Sequence, residues 1–513
     1  MITRKTFLSI VKACFAAFLL LFVSCKEKSP DELFKTAVKS VVTKPVQSAV
    51  SEIYAYKPLV DFKNINTETN MKVSLCPAAK MLLNLAVSET GGFSFDWLNN
   101  FKFNMKNSLK DGSFDYALTA GVNDVDVVSA NIIGDKTNSA VFFQIPEIIN
   151  DYIKVQGNSV VAYFYNMEEG YTYIDGFFKI LPEEKVINGF VEEVMDAALS
   201  PVEGLEKELT TISAGTSENE ISADYYEISL EITEELADQM IDAVIEKVSQ
   251  SSNFNEIAGF ISSLAGMFGT DLSKDDIKES FEGIVEDVFY ELMDTAITVY
   301  TDKNGNCAGF EFFAVDGTEA VTCYIPESCG KYALDLNIAD EITVEGRGKS
   351  GKKLTGDFNV MVDGEDFFTF RAKDLTNSNG EFSFQVGSAL AEELSNEFYS
   401  PYDSTLSTVI QWLPKVVMKF NVKSSSKTAS KYEVSFCDVS DSEYVKMEVD
   451  TKFGKNASVR EPSDAIDVDD DAFYETVYGA DFNTIVERLE KASVPALITD
   501  MLRSATVADL FGL

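Results

Sequence analysis

The chain is 513 residues long, is 45% hydrophobic, and carries 83 acidic against 43 basic residues, a formal net charge of −40. That length and apolar fraction suit a folded protein of roughly two to four domains with a substantial core, while so acidic a surface repels the phosphates of nucleic acid and anionic bilayers. Histidine is absent, which excludes Ser-His-Asp and Cys-His catalysis, His-ligated zinc and any imidazole charge switch between about pH 5 and 8.

Arg4, Lys5 and Lys12 give the chain a basic start, an apolar run fills residues 13–23, and Lys26, Glu27 and Lys28 follow at once. The apolar run is about half the length of a spanning helix, so residues 1–24 are predicted to be a secretory signal. The segment Leu21-Phe22-Val23-Ser24-Cys25 resembles the lipobox of bacterial lipoproteins, with Phe22 where leucine is usual. The resemblance implies that Cys25 becomes the lipidated first residue, with residues 25–30 as a tether. The protein is then held at the cell membrane or outer membrane, facing the periplasm or the cell exterior. Two or more acyl chains hold such an anchor stably, since each buried methylene contributes about 0.8 kcal/mol. No later run reaches the roughly eighteen apolar residues of a helical span.

Residues 31–182 are predicted to hold an N-terminal helix, interrupted at Pro45, and then a β-meander. In it Phe101, Phe103 and Met105 alternate with polar residues, the period of a half-buried strand, and Asp111-Gly112 supplies a hairpin turn. Residues 183–295 read as a helical block with one strand near 223–232. Thr233 before Glu234 and Glu235 is a cap with a fitting first turn. Ser273 and Asp276 have capping-box spacing. The helix they start carries an apolar stripe of Ile277, Phe281, Ile284, Val285, Val288, Phe289 and Leu292, opposite Lys278, Glu279, Glu282, Glu286 and Asp287. Residues 296–455 read as a second meander, with Asn304-Gly305, Asp316-Gly317 and Asp363-Gly364 as turns. Residues 456–513 read as an acidic linker and a C-terminal helical segment.

Motifs with chemistry are few. Asp302, Asn304 and Asn306 alternate like the start of a calcium loop, but Cys307 and Phe313 stand where glycine and glutamate belong, so a hairpin turn is predicted. Asp467, Asp469, Asp470 and Asp471 read as a solvated linker. Neither Gly91-Gly92 nor Gly346-Arg347-Gly348 is followed by the lysine and hydroxyl of a phosphate loop. After Cys14 and Cys25 there remain Cys76, Cys307, Cys323, Cys329 and Cys437, an odd set in which Cys323 and Cys329 could close a small loop around Pro326. No metal and no cofactor are expected.

The predicted class is α+β: large curved antiparallel β-meanders, half-barrel-like, packed with a central amphipathic helical block. This arrangement loosely resembles the half-open barrels of bacterial lipoprotein and lipid-carrier proteins. That resemblance implies a binding or carrier protein for a hydrophobic or acylated ligand, with the helix stripe as core or ligand lining. No enzyme activity and no nucleic-acid partner are expected. A surface interaction protein is the alternative, and a carboxylate-based hydrolase a third reading.

Overall fold

The computed structural model describes residues 28–56, 64–88, 94–156, 176–215, 220–314, 320–376, 379–397, 410–426, 428–462 and 464–507. The predicted signal, Cys25, Gly91-Gly92 and the Asp316-Gly317 turn lie outside them.

In chain order the elements are α1 (Pro30–Tyr56), β1 (Asn64–Leu75), α2 (Pro77–Ser88), β2 (Asn100–Lys110), β3 (Ser113–Val122), β4 (Val125–Asp135), β5 (Ala140–Ile145) and β6 (Ile149–Gln156). Next come α3 (Glu184–Ala198), β7 (Glu208–Ala214), β8 (Ile221–Ile232), α4 (Glu234–Gln250), α5 (Ser252–Met267) and α6 (Lys274–Glu291). Then follow β9 (Thr295–Thr301), β10 (Cys307–Ala314), β11 (Ala320–Tyr324), β12 (Glu327–Ser328), β13 (Lys331–Ile338), β14 (Ile342–Lys349), β15 (Leu354–Val362), β16 (Glu365–Leu375), β17 (Gly380–Val386) and α7 (Ser388–Glu397). The chain ends with β18 (Val416–Ser425), β19 (Ala429–Asp438), β20 (Glu443–Lys455), β21 (Ala465–Asp467), α8 (Asp471–Gly479), α9 (Asn483–Lys491) and α10 (Ala496–Ser504). The protein is α+β, with 21 strands among the described residues in large, open, antiparallel ladders. The described exception is β21, which runs parallel to β6.

The chain forms two compact units, and both are discontinuous in sequence. The first takes Met1–Ala55, Lys179–Thr376 and Phe384–Pro414. Its ladder runs β7-β8-β9-β10-β11-β13-β14-β15-β16. Ile228, Leu230, Ile232 and Val299 of β8 and β9 pack under Leu33, Phe34 and Ala37 of α1 and Ala237 and Met240 of α4. A second core joins α3 to α6, with the rings of Phe190, Phe254 and Phe281 5.5 to 5.7 Å apart. Both predicted caps form: Thr233 accepts from the Leu236 amide, and Ser273 and Asp276 bond reciprocally as a capping box.

The second unit takes Tyr56–Phe178, Asn377–Ser383 and Lys415–Leu513. Its ladder runs β18-β19-β20-β1-β2-β3-β4-β5-β6-β21. β1 lies between β2 and β20, so the predicted linear segments 31–182 and 296–455 are both divided. That follows from a pairing between distant stretches, which no local pattern announces.

Four local expectations change. Helix α1 runs unbroken through Pro45. A proline removes one intrahelical bond, and the packing of Leu33, Phe34 and Ala37 before it and buried Val50 after it outweighs that loss. The Asn304-Gly305 turn is not a two-residue loop. The Asp302 carboxylate accepts from the amides of Asn304 and Asn306 (2.8 and 2.9 Å), and Gly305 alone takes a positive φ of 85°. This is a three-residue loop with glycine in the left-handed position. The acidic linker is anchored, because Ala465–Asp467 adds to the edge of β6. Finally, β1, α2 and β7 were not expected, although Thr67, Thr69, Met71, Val73 and Leu75 alternate with polar residues along β1.

Candidate functional site

The predicted stripe on α6 is divided by its packing. Ile277 and Val285 are buried, Phe281 and Phe289 pack beside them against α3, α4 and α5, and Phe289 and Leu292 reach the core under α1. Ile284 and Val288, four residues apart on one flank, stay 60% and 47% exposed. The stripe is wider than the surface it meets, so five of its residues are helical core and two face outward.

The second unit carries a broader apolar surface on its sheet. Residues directly paired across a ladder share a face, so the registers define continuous rows. One row is Val422, Tyr432, Val449, Met71, Phe103, Ala120 and Val128, from β18 across β19, β20, β1, β2 and β3 to β4. The next is Phe420, Val434, Met447, Val73, Phe101 and Val122. Seven strands set the first row at roughly 29 Å, six interstrand spacings. Toward β4 and β6 this surface is covered: Ile485 and Leu489 of α9 pack on Val127 and Val128, and Phe473 and Val477 of α8 pack on Ile149 and Ile153. Over β1, β2 and β3 it stays partly open, with Phe103 36%, Met105 43% and Leu118 42% exposed.

The reverse face of the same strands is polar. Lys72 pairs with Asp124 (2.7 Å), Lys102 with Asp126 (2.9 Å) and Lys446 with Glu433 (2.8 Å). The hydrogen bond from Lys72 holds the Asp124 carboxyl below its ordinary value, and the bond to Glu433 raises Lys446. These ion pairs reach solvent, so this is the wet face. The opposite face, with no Lys, Arg, Asp or Glu in either row, is the one that suits an apolar occupant.

Other chemistry is spent on structure. The two buried acids among the described residues each hold an arginine: Asp115 with Arg460 (2.6 Å) and Glu147 with Arg488 (2.5 Å). Tyr300 and Tyr324 both donate to Glu311, and burial, then that bond, drives both phenols far above their ordinary value. Among the described residues no three His, Cys, Asp or Glu side chains gather as metal ligands. Asp467 lies in β21 and Asp470 precedes α8. Cys323 is buried and Cys329 exposed, and the five described cysteines are all free thiols. The apolar rows were half legible in advance: Phe101, Phe103 and Met105 marked β2, but their partners Met71, Val449 and Tyr432 are remote in sequence.

No protein-family model and no curated protein matches this chain.

Proposed function

We propose that the protein is a lipid-anchored, extracytoplasmic binding or carrier lipoprotein for a hydrophobic or acylated ligand, and that the ligand lies along the apolar rows of the second unit's sheet. The observation that carries this reading is the pair of uncharged rows, open over β1 to β3 and backed by a hydrated, ion-paired reverse face. A chain-like occupant matches the open stretch over β1 to β3, a strip one or two side chains wide. The leader supports the location: an acylated Cys25 anchors the chain outside the cytoplasm while leaving this face free to load.

Native mass spectrometry of the chain made without residues 1–24, followed by organic extraction, tests the ligand. Stoichiometric acyl lipid in wild type, lost in Phe103→Glu at unchanged secondary structure, is the expected result. A clean apo mass with no uptake of added fatty acid or phospholipid rejects the carrier reading and leaves the face to a protein partner. Labelled palmitate entering wild type but not Cys25→Ala tests the anchor separately.

A further inference from the structure

A second concavity lies wholly within the first unit, at the end of the β13 to β16 ladder, with a volume of about 920 Å³. Lys331, Arg347, Lys349, Arg371 and Lys373 line it. In a chain with 83 acidic residues, five cations converge on one groove whose lining acids are Glu220 and Asp357. Arg371 is spent on Asp357. Lys331, Arg347, Lys349 and Lys373 have no ion-pair partner among the described residues.

The register makes this arrangement unfavourable without a counter-charge. Lys331 and Lys349 are directly opposed in the β13–β14 ladder, and Arg347 lies two residues along the same face from Lys349. Like charges set directly across a ladder destabilise it. Gly348 and Gly356 are opposed in the next ladder, and a Cβ on either would come within 2.6 or 2.7 Å of the Tyr332 hydroxyl. The glycines thus make room for Tyr332, which is 7% exposed and packs in the core on the face opposite the cations. Its hydroxyl is buried with no hydrogen-bond partner among the described residues.

We propose that this groove binds a small ligand carrying one or two phosphate groups, held by Lys331, Arg347 and Lys349. Ammonium and guanidinium groups form their strongest hydrogen bonds with such oxyanions. A long polyanion is disfavoured, because beyond the groove it meets the acidic surface, whereas a compact anion stays within a Debye length of about 8 Å from the cations. The site shares no residue with the apolar face, so either can fail alone.

Calorimetric titration of the full chain, in non-ionic detergent at low salt, with pyrophosphate as the probe tests this. One site is expected, weakened about tenfold or more in Lys331→Gln/Lys349→Gln and in Arg347→Gln, as follows from losing charge-assisted bonds. Micelles doped with phosphatidic acid identify the source: a lower apparent pyrophosphate affinity assigns the site to a lipid phosphate, and an unchanged one to a soluble phosphate compound. Absence of pyrophosphate binding to wild type, or equal binding to the lysine and arginine variants, overturns the proposal.

Discussion

At the scale of single residues, the sharpest consequences lie where a buried charge has one partner of opposite charge. Arg488 neutralises Glu147, whose carboxylate also accepts from the Ser129 amide. Arg488→Ala strands that buried charge and should cost about 3 kcal/mol in urea unfolding, while Glu147→Gln/Arg488→Met recovers most of it. Gly134 lies beneath the ring of buried Phe114, and a Cβ there would stand 2.1 Å from that ring. Gly134→Ala should therefore lose about 1 to 3 kcal/mol by overpacking. Ser273→Ala removes the α6 cap and should lose about 1 kcal/mol by the same measurement. Residue features of this kind were legible when both partners were near in sequence. Ser273 and Asp276 announce their box and Asp111-Gly112 its turn, with φ of 51° and 88°. The Arg460–Asp115 pair spans 345 residues and leaves no local trace.

At the scale of elements, α1 carries an internal proline without breaking. Pro45→Ala restores one intrahelical bond and should raise stability by up to about 3 kcal/mol. No rise would mean that the helix bends there to reach its core. Helix α6 was predictable in position and cap, and only its neighbours decide which flank is buried. Periodicity gives an apolar arc, but the crossing of α4 and α5 selects Ile277, Phe281 and Val285 from it and leaves Ile284 and Val288 in water. The sheet faces show the same limit. Alternation marks β2, and the pairing that lines Phe103 up with Met71 and Val449 comes from three distant segments.

At the scale of the whole molecule, the pH response is flat near neutrality and falls on the alkaline side. Without histidine, stability should be nearly flat between about pH 6 and 8. Burial raises the thiols of Cys307 and Cys323 and the phenols of Tyr225, Tyr300, Tyr324 and Tyr332, with Cys307 and Tyr332 each reaching about 12. Groups raised in the folded state contribute fully below their unfolded values, here 9.0 for a thiol and 10.0 for a phenol. Above those values the unfolded chain releases protons that the folded one retains, so stability falls as pH rises toward 12. Denaturant midpoints measured from pH 7 to 11 should fall steadily above pH 9, and a flat profile would show that these side chains are open to hydroxide.

The position of β1 has a consequence in time. Its outer partner is β20, and the side chains of Thr69 and Thr451, 3.2 Å apart in the folded protein, are separated by 382 residues of chain. Hairpins such as β2–β3 can form as soon as they leave the ribosome, but one edge of β1 stays bare until nearly the whole polypeptide has been made. Closing so long a loop is slow, and an uncovered edge recruits other strands meanwhile. A circular permutant that places residues 443–455 ahead of residue 64 should fold faster, read as a higher refolding rate.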